Sequence, residues 1–285
     1  MPANSKHIAI LCNQLAGSGR AVLLTERISS ELVNRKISFT VHTDEWPDDF
    51  EGYADVWIIG GDGTLNYFIN KYKELKLPLV IFNGGTGNDF HWFLYGEINF
   101  EKQIETVLAV VPRPIDIGKC NDRLFINGVG IGFEGEVARE LTGKKKRAGK
   151  TSFMITVLKK IFSYQSKTYQ ITTDGKSFAR KKYLIIDINN GSRAGGGFHV
   201  APLASVSDGL FDLVVIETLR PIKRLRWLPV IENGKHLKLP FVNYSTVKKI
   251  LIESDDLIQF HLDGEYYSTD KMEIEIISNK FLFRY

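Results

Sequence analysis

Cysteine is scarce in this sequence, and long apolar runs are absent from it. The 285 residues include two cysteines, Cys12 and Cys120, which are too few for a disulfide framework or a cysteine-based zinc site. We interpret both as buried small apolar groups in a protein of a reducing compartment. No apolar stretch approaches the about 20 residues that cross a bilayer, and the N-terminus lacks the pattern of a signal peptide. We therefore expect a cytoplasmic protein.

An excess of either charge is also missing. The sequence has 37 Lys and Arg against 33 Asp and Glu, a formal net charge of +4, which falls short of the basic excess typical of an obligate nucleic-acid binder. A hydrophobic fraction of 44% with 12% aromatic residues excludes disorder along the whole chain. The length exceeds what one hydrophobic core usually serves, so we expect two domains.

The first third of the chain alternates short apolar runs with helix-length amphipathic stretches, which predicts an α/β domain. After Pro112 and Pro114, hairpin signals such as Asp174-Gly175 favour a second domain that is mostly antiparallel β. We place the domains at residues 1–113 and 114–285, and the last residues could pack back on the first. The predicted strands are 7–13, 37–42, 55–60, 79–83, 168–173, 182–189, 211–218, 246–253, 257–262 and 272–277, and the predicted helices are 21–35, 65–75, 134–141, 153–162 and 222–231.

Two glycine-rich turns follow apolar strands of the first domain. They are Gly60-Gly61-Asp62-Gly63-Thr64 and Gly84-Gly85-Thr86-Gly87-Asn88-Asp89-Phe90. Glycines let a backbone approach a ligand closely, and the N–H groups at a helix start favour an anion such as phosphate. Asp62 would be repelled by phosphate unless a divalent cation lay between them. Alternatively, Asp62 stabilises the turn or caps the helix.

Further polar groups are expected to meet these turns. Loops at the carboxyl ends of neighbouring strands line one crevice in an open α/β sheet, so Asp62 and Asp89 can face the same ligand. An earlier turn, with Asn13 and Arg20, would complete the rim. The Arg20 guanidinium would donate to phosphate oxygens, or Arg20 is a solvated helix start.

A second cation site is indicated later in the chain. Asp208 and Asp212 are four residues apart with Gly209 between them. This spacing allows two carboxylates and an intervening carbonyl, that of Leu210, to surround one hard cation. The alternative is a solvated turn before a strand.

The ordered set of motifs resembles the diacylglycerol kinase catalytic-domain family of lipid kinases, especially its compact bacterial members. The resemblance extends from about residue 6 to about residue 277. Besides the two glycine turns, the matching segments are Asn127-Gly128-Val129-Gly130-Ile131-Gly132-Phe133, Gly195-Gly196-Gly197-Phe198, Ala201-Pro202, Asp208-Gly209-Leu210-Phe211-Asp212 and Asp263-Gly264-Glu265.

The resemblance implies a two-domain kinase with its active site in an interdomain cleft. It implies that Asp62, Asp89 and Glu265 organise the catalytic Mg²⁺, and that Asp263 is the general base for a lipid hydroxyl. It also implies a second, structural Mg²⁺ at Asp208 to Asp212. Without the resemblance, Asp263-Gly264-Glu265 is typical of a plain hairpin turn. The expected nucleotide-binding residues are Asn13, Arg20, Gly60, Gly61, Asp62, Gly63, Thr64, Gly85, Thr86, Gly87, Asn88 and Glu265.

Two basic stretches, 144–160 and 220–228, enclose apolar side chains. Such segments suit the anionic surface of a cytoplasmic leaflet, or they are solvated helix faces over core residues. We expect the protein to associate peripherally with a membrane through them, without a specific nucleic-acid partner, and a homodimer is left open. His199 and His261 lie in β-rich runs and are interpreted as structural.

The leading hypothesis is phosphorylation of a lipid hydroxyl that depends on ATP and Mg²⁺, with diacylglycerol converted to phosphatidate. One alternative is a soluble NAD-type kinase, because such enzymes share the first glycine turn and the need for Mg²⁺. Another is a catalytically silent protein that senses a nucleotide or a lipid, although the presence of Asp263 speaks against it.

Overall fold

The structure, a computed structural model, describes residues 7–142 and 150–285. The chain divides into two compact units, Met1–Ile115 with Asn279–Tyr285, and Asp116–Ser278. Residues 114 and 115, which we expected in the second domain, thus belong to the first unit, and the chain end returns to it.

The first unit is built on a parallel sheet. Its strands stand in the order β2-β1-β3-β4, and each pairing is parallel. Strand β3 is buried at every residue, as expected for a parallel strand covered on both faces. Helix α1 packs on the sheet through Ala21, Thr25, Ile28 and Leu32, which recur at helical spacing. The elements are β1 (Ile8–Cys12), α1 (Arg20–Asn34), β2 (Phe39–His42), β3 (Asp55–Gly60), α2 (Asp62–Lys71), β4 (Leu79–Asn83), α3 (Asp89–Tyr95) and α4 (Phe100–Ala109).

The second unit is dominated by antiparallel strands. The order is β12-β11-β10-β7-β13-β14, and neighbouring strands from β12 to β14 pair antiparallel. Among the described residues of this unit, three helices accompany them. The elements are β5 (Arg113–Cys120), β6 (Arg123–Phe125), β7 (Gly128–Gly132), α5 (Phe133–Leu141), α6 (Lys150–Ser163), β8 (Lys167–Thr173), β9 (Lys176–Ser177), β10 (Lys181–Asn189), β11 (Phe211–Glu217), α7 (Pro221–Glu232), β12 (Val242–Val247), β13 (Lys249–Leu262) and β14 (Glu265–Phe283).

The predicted α/β first domain and antiparallel second domain are confirmed, whereas several predicted element bounds are wrong. The strand expected at 257–262 is the end of β13, the one expected at 272–277 lies within the longer β14, and helices α3 and α4 were not predicted. The helix expected at 65–75 begins at Asp62, because the N–H groups of Thr64 and Leu65 already donate to Gly61 O. The strand expected at 246–253 is interrupted between β12 and β13. The Asp174 carboxylate accepts the N–H groups of residues 248 and 249 there and so breaks the strand.

Both cysteines are buried and outside any disulfide, in agreement with the prediction. No helix among the residues described in the structure is long and apolar enough to cross a bilayer.

The chain end is fastened to the first unit by a buried ion pair. Arg284 Nε lies 2.7 Å from Asp55 Oδ1, and the two side chains are only 11% and 4% exposed. Arg284 also donates to Val110 O through Nη1, at 2.6 Å, and to Leu79 O through its backbone N–H, at 3.0 Å. The adjacent Phe283 pairs with Leu79 of β4. These contacts add a last strand segment to the sheet edge.

We expect Arg284→Ala to lower the free energy of unfolding of the first unit by about 3–5 kcal/mol, because it leaves the buried Asp55 carboxylate without its guanidinium. Three of the four tryptophans lie in this unit, so urea unfolding followed by tryptophan fluorescence reports on it. Lys280→Ala is the control, since its partner Glu74 is 81% exposed and little change is expected. Equal stability of the two variants would contradict the prediction.

Candidate active site

The loops after β3 and β4 touch each other through their backbones. A Cβ placed on Gly61 would lie 2.4 Å from Gly87 O and 3.0 Å from Gly85 Cα, and one on Gly85 would lie 2.4 Å from Gly61 Cα. The Asp62 N–H donates to Gly87 O at 3.1 Å, which joins the loops directly. Glycine is therefore required here by the neighbouring backbone itself.

The loop after β1 joins the same group. A Cβ on Gly17 would lie 2.4 Å from Gly84 O, and the φ of Gly17 is +58°. Asn13 Nδ2 donates to Thr64 Oγ1 at 2.8 Å. The three predicted turns are thus brought together at the carboxyl ends of β1, β3 and β4.

Arg20 and Asn88 hold the second glycine turn. Arg20 is the first residue of α1, is exposed, and donates through Nη1 to Gly85 O at 3.2 Å. Asn88 accepts the Gly85 N–H at 3.1 Å and donates to Gly85 O at 2.9 Å. Gly63, Thr86 and Gly87 are exposed.

The Asp62 carboxylate bridges the two glycine turns. Its Oδ2 accepts the N–H of Asp89 at 2.9 Å, and its Oδ1 accepts the N–H of Phe90 at 3.1 Å. Asp62 therefore caps the following helix, α3, rather than its own. The same bonds place its carboxylate against the backbone N–H of Asp89, a buried residue 27 positions later in sequence.

The chemistry of this pair suits a hard cation. Mg²⁺ prefers oxygen ligands and is usually bound through one or two carboxylates while it keeps several waters or phosphate oxygens. Asp62 and Asp89 supply such carboxylates. Within residues 7–142 and 150–285, no group of three or more His, Cys, Asp or Glu side chains is placed to hold a metal ion by itself.

Asp263 lies in the tight turn between β13 and β14. Positive φ values at Asp263 (49°) and Gly264 (87°) are typical of a two-residue hairpin, so the plain hairpin interpretation is right about the backbone. The Asp263 carboxylate also accepts hydrogen bonds from a distant segment of the chain. Its Oδ1 accepts the N–H groups of Asn127 and Gly128 at 2.8 and 3.0 Å, and its Oδ2 accepts that of Ile126 at 2.9 Å. Three donors therefore fix the orientation of this carboxylate.

Glu265 follows this turn as the first residue of β14 and is exposed. It opposes Leu262 in the hairpin. Glu265 therefore lies on the same hairpin as Asp263, in the second unit.

Buried amide and acid groups that the sequence analysis missed support the segment 126–128. Asn190, which is fully buried, donates through Nδ2 to Ile126 O at 2.8 Å and to Asp116 O at 2.9 Å. The buried Asp116 carboxylate in turn accepts the Gly209 N–H at 2.7 Å. An acid between two isoleucines of one strand was the signal that could have identified Asp116.

The predicted second cation site combines a turn and a buried acid. The exposed Asp208 accepts the Leu210 N–H at 3.1 Å, as in a simple polar turn. Asp212 is buried on β11 and accepts the Tyr244 hydroxyl at 2.8 Å. Burial raises the pKa of Asp212, the bond from Tyr244 partly opposes this, and the nearby Asp208 charge raises it further.

Comparison with known proteins gives the family. The family model for the diacylglycerol kinase catalytic domain matches residues 7–120, and the one for the YegS C-terminal NAD kinase beta sandwich-like domain matches residues 127–280. A diacylglycerol kinase of Staphylococcus carnosus (strain TM300) is 30% identical over 220 residues, which cover 76% of this chain and 71% of that protein. This chain belongs to the diacylglycerol kinase family. As a member of a lipid kinase family it is a phosphotransferase, and kinase relatives imply the use of ATP.

Other relatives span nearly the whole kinase chain. The putative lipid kinase YtlR of Bacillus subtilis (strain 168) is 26% identical over 295 residues, 92% of this chain and 94% of that protein. A putative diacylglycerol kinase from Bacillus anthracis str. Sterne has a TM-score of 0.78 at 22% identity, with 99% and 97% of the two chains covered. An NAD kinase from Archaeoglobus fulgidus in complex with ATP has a TM-score of 0.55 at 14% identity, covering 98% and 93%. The similarity to these two solved structures shows only that the fold is shared.

The two basic stretches of the kinase differ in what the structure describes. Residues 144–149 lie outside the described residues. In the second stretch, Arg224 is not available to a lipid surface, because it donates to Leu219 O, Ile161 O and Tyr164 O. Burial lowers the pKa of this guanidinium. The expectation that the whole segment 220–228 contacts headgroups therefore does not hold at Arg224.

The remaining side chains of α6 and α7 include exposed apolar and basic groups. Ile222 and Phe162 are 79% and 60% exposed. Lys159, Lys223 and Arg226 are also exposed. We call the exposed residues Ile155, Leu158, Lys159, Phe162, Arg220, Ile222, Lys223, Leu225 and Arg226 the α6/α7 surface.

We expect Gly61→Ala to weaken ATP binding about 5- to 150-fold, since the overpacked Cβ must separate the two loops at a cost of about 1–3 kcal/mol. Isothermal titration calorimetry with ATP and Mg²⁺ measures this. Gly87→Ala is the matched comparison, because its Cβ would meet only Asp62 Oδ2, at 3.2 Å, and a smaller loss is expected. ATP binding by Gly61→Ala as tight as that of the parent would contradict the prediction.

Proposed function

We propose that this protein transfers the γ-phosphoryl group of ATP to the hydroxyl of a membrane lipid, with diacylglycerol as the substrate and phosphatidate as the product. The observation that carries the proposal is the Asp263 carboxylate, oriented by three backbone N–H groups in a chain of the lipid kinase family. The relative from Staphylococcus carnosus is named a diacylglycerol kinase, which favours this lipid among those with a hydroxyl.

ATP is assigned to the glycine turns of the first unit. The close approach of Gly61 and Gly85 leaves a surface of backbone without side chains, which suits phosphate oxygens. Arg20 and Asn13 would bind at the rim, and Asp62, Asp89 and Glu265 would hold Mg²⁺. Bound Mg²⁺ would neutralise charge on the phosphates during transfer.

Asp263 is proposed as the general base. The lipid hydroxyl oxygen attacks the γ-phosphorus, the bond from that phosphorus to the bridging oxygen breaks, and ADP leaves. The hydroxyl proton moves to the Asp263 carboxylate. The three backbone N–H groups hold this carboxylate in one orientation for that transfer.

We also propose that Asp208, the Leu210 carbonyl and Asp212 hold a second, structural Mg²⁺. The raised pKa of Asp212, caused first by burial and increased by the Asp208 charge, supports this proposal. A cation beside both carboxylates would relieve their repulsion and favour their ionised forms.

The decisive assay incubates the protein with labelled ATP and Mg²⁺ and a panel of lipids in mixed micelles, together with NAD. The lipids are diacylglycerol, monoacylglycerol, a sphingoid base, phosphatidylglycerol and a polyprenol. We expect label in diacylglycerol, and Asp263→Asn should lower kcat by about 10²–10⁴-fold. Label in NAD alone would establish the soluble NAD-type kinase instead.

Asp174→Asn is the matched control for Asp263→Asn. Asp174 lies in a turn of the same kind, with positive φ at Asp174 and Gly175, and its carboxylate also accepts backbone N–H groups. It should leave kcat unchanged. A parent protein that binds ATP but labels no acceptor, like its Asp263→Asn variant, would indicate the silent sensor.

We further propose that the α6/α7 surface docks on an anionic bilayer, so that the kinase associates peripherally with a membrane. Apolar side chains such as Ile222 and Phe162 would enter the interface, and Lys223 and Arg226 would meet headgroups at about 1 kcal/mol each. Arg224 supports this geometry, because it ties α7 to α6 through Ile161 O at 3.0 Å.

We expect the double variant Lys223→Glu with Arg226→Glu to weaken binding to vesicles of phosphatidylcholine and phosphatidylglycerol by at least about tenfold. Sedimentation with the vesicles measures this, and vesicles of phosphatidylcholine alone should bind the parent weakly. The control reverses two exposed lysines near the β8–β9 turn, Lys176 and Lys249. Equal binding by both double variants would refute this docking surface.

A further inference from the structure

Three titratable side chains of the second unit converge above one glycine. Asp187 of β10 and His261 of β13 both stand opposite Gly130 of β7 in the sheet. Glu134, from α5, reaches the same point, and its Oε2 lies 3.2 Å from His261 Nε2. A Cβ on Gly130 would lie 2.1 Å from Glu134 Oε2 and 2.4 Å from His261 Nε2. Glu134 and His261 thus occupy the space that this glycine leaves open.

The contacts of His261 determine which of its ring nitrogens carries the proton. The backbone N–H of Gly264 donates to His261 Nδ1 at 3.3 Å. A backbone N–H can only donate, so Nδ1 must be the unprotonated acceptor. In neutral His261 the proton is then on Nε2, from which it is donated to Glu134 Oε2.

Asp187 completes the series on the other side of Glu134. It is buried, and burial followed by the Glu134 charge and a hydrogen bond with Glu134 raises the pKa of Asp187 well above its usual range. Asp187 is thereby joined to Glu134 within the second unit.

The series ends at the turn that carries the proposed base. His261 lies two residues before Asp263, and Gly264 follows Asp263 directly. The Asp263 carboxylate is anchored to residues 126–128, whereas the backbone of the exposed Gly264 is held by His261. The Asp263 N–H also donates to Gly128 O at 2.9 Å. The turn is therefore held at the Asp263 side chain, at the Asp263 backbone and, through His261, at the Gly264 backbone.

We propose that His261 is a positioning residue for Asp263, and that Glu134 and Asp187 orient its ring so that Nδ1 holds the Gly264 N–H. This inference rests on the proposed lipid kinase function for its kinetic consequence. It assigns a role to a histidine that the sequence analysis interpreted as structural.

Two substitutions each keep one of the two hydrogen bonds of the His261 ring and remove the other. His261→Asn places an amide oxygen near the position of Nδ1 and keeps an acceptor for Gly264. His261→Gln places an amide N–H near the position of Nε2 and keeps the donor to Glu134. We expect His261→Gln to lower kcat about ten- to a hundredfold with unchanged KM for ATP and lipid, and His261→Asn to keep most of the activity.

The thermal unfolding of the parent and of both variants is followed by circular dichroism. A loss of stability is thereby separated from a loss of positioning. Equal kcat values for the two variants at equal stability would overturn the proposal. A larger loss in His261→Asn than in His261→Gln would also overturn it, since the bond to Glu134 would then be the one that matters.

A second readout does not depend on activity. Long-range ¹H–¹⁵N correlation on the parent protein labelled at its six histidines reports the tautomer of each ring, and the signals missing in His261→Gln identify His261. We expect the tautomer protonated at Nε2, and the one protonated at Nδ1 would overturn the proposal. If no lipid is phosphorylated by the parent, the kinase proposal fails, whereas the tautomer still decides whether His261 holds Gly264.

Discussion

The contact between glycine backbones at the carboxyl ends of β1, β3 and β4 is the constraint on which the nucleotide-binding unit depends. No side chain can be inserted between Gly61 and Gly85 without moving a strand end, because their backbones approach too closely for a Cβ. Since β3 and β4 are buried parallel strands, such a movement would disturb the core as well as the loops. The phosphate-binding surface and the packing of the sheet are therefore one feature.

Carboxylates that accept backbone N–H groups recur at the proposed catalytic positions. Asp62 accepts two such bonds from the start of α3, and Asp263 accepts three from residues 126–128. Each acid thereby organises a loop distant in sequence while remaining in place for chemistry. Function and local stability are coupled at these residues, because an isosteric amide would turn an N–H group towards one of the backbone donors.

The sequence predicted the structure best where the signal for an element lies within a few neighbouring residues. The strands at 55–60 and 79–83 and the turns that follow them were predicted at their observed positions, because apolar runs and glycine signals lie within a few residues. Contacts that depend on which strands are neighbours in the sheet could not be predicted from the sequence. Glu134, Asp187 and His261 meet only because β7 lies between β10 and β13, and the inward bonds of Arg224 depend on the packing of α7 against α6. An acid within the apolar strand 185–188 was the one local sign of Asp187.

The return of the chain end to the first unit has a consequence for synthesis on the ribosome. Asp55 and Arg284 are 229 residues apart. At a translation rate of about 5–20 residues per second, Asp55 waits about 10–50 s for its guanidinium. In that interval the nascent β4 edge also lacks Phe283, while the second unit is being synthesised. The first unit is thus completed only after the second unit has been synthesised.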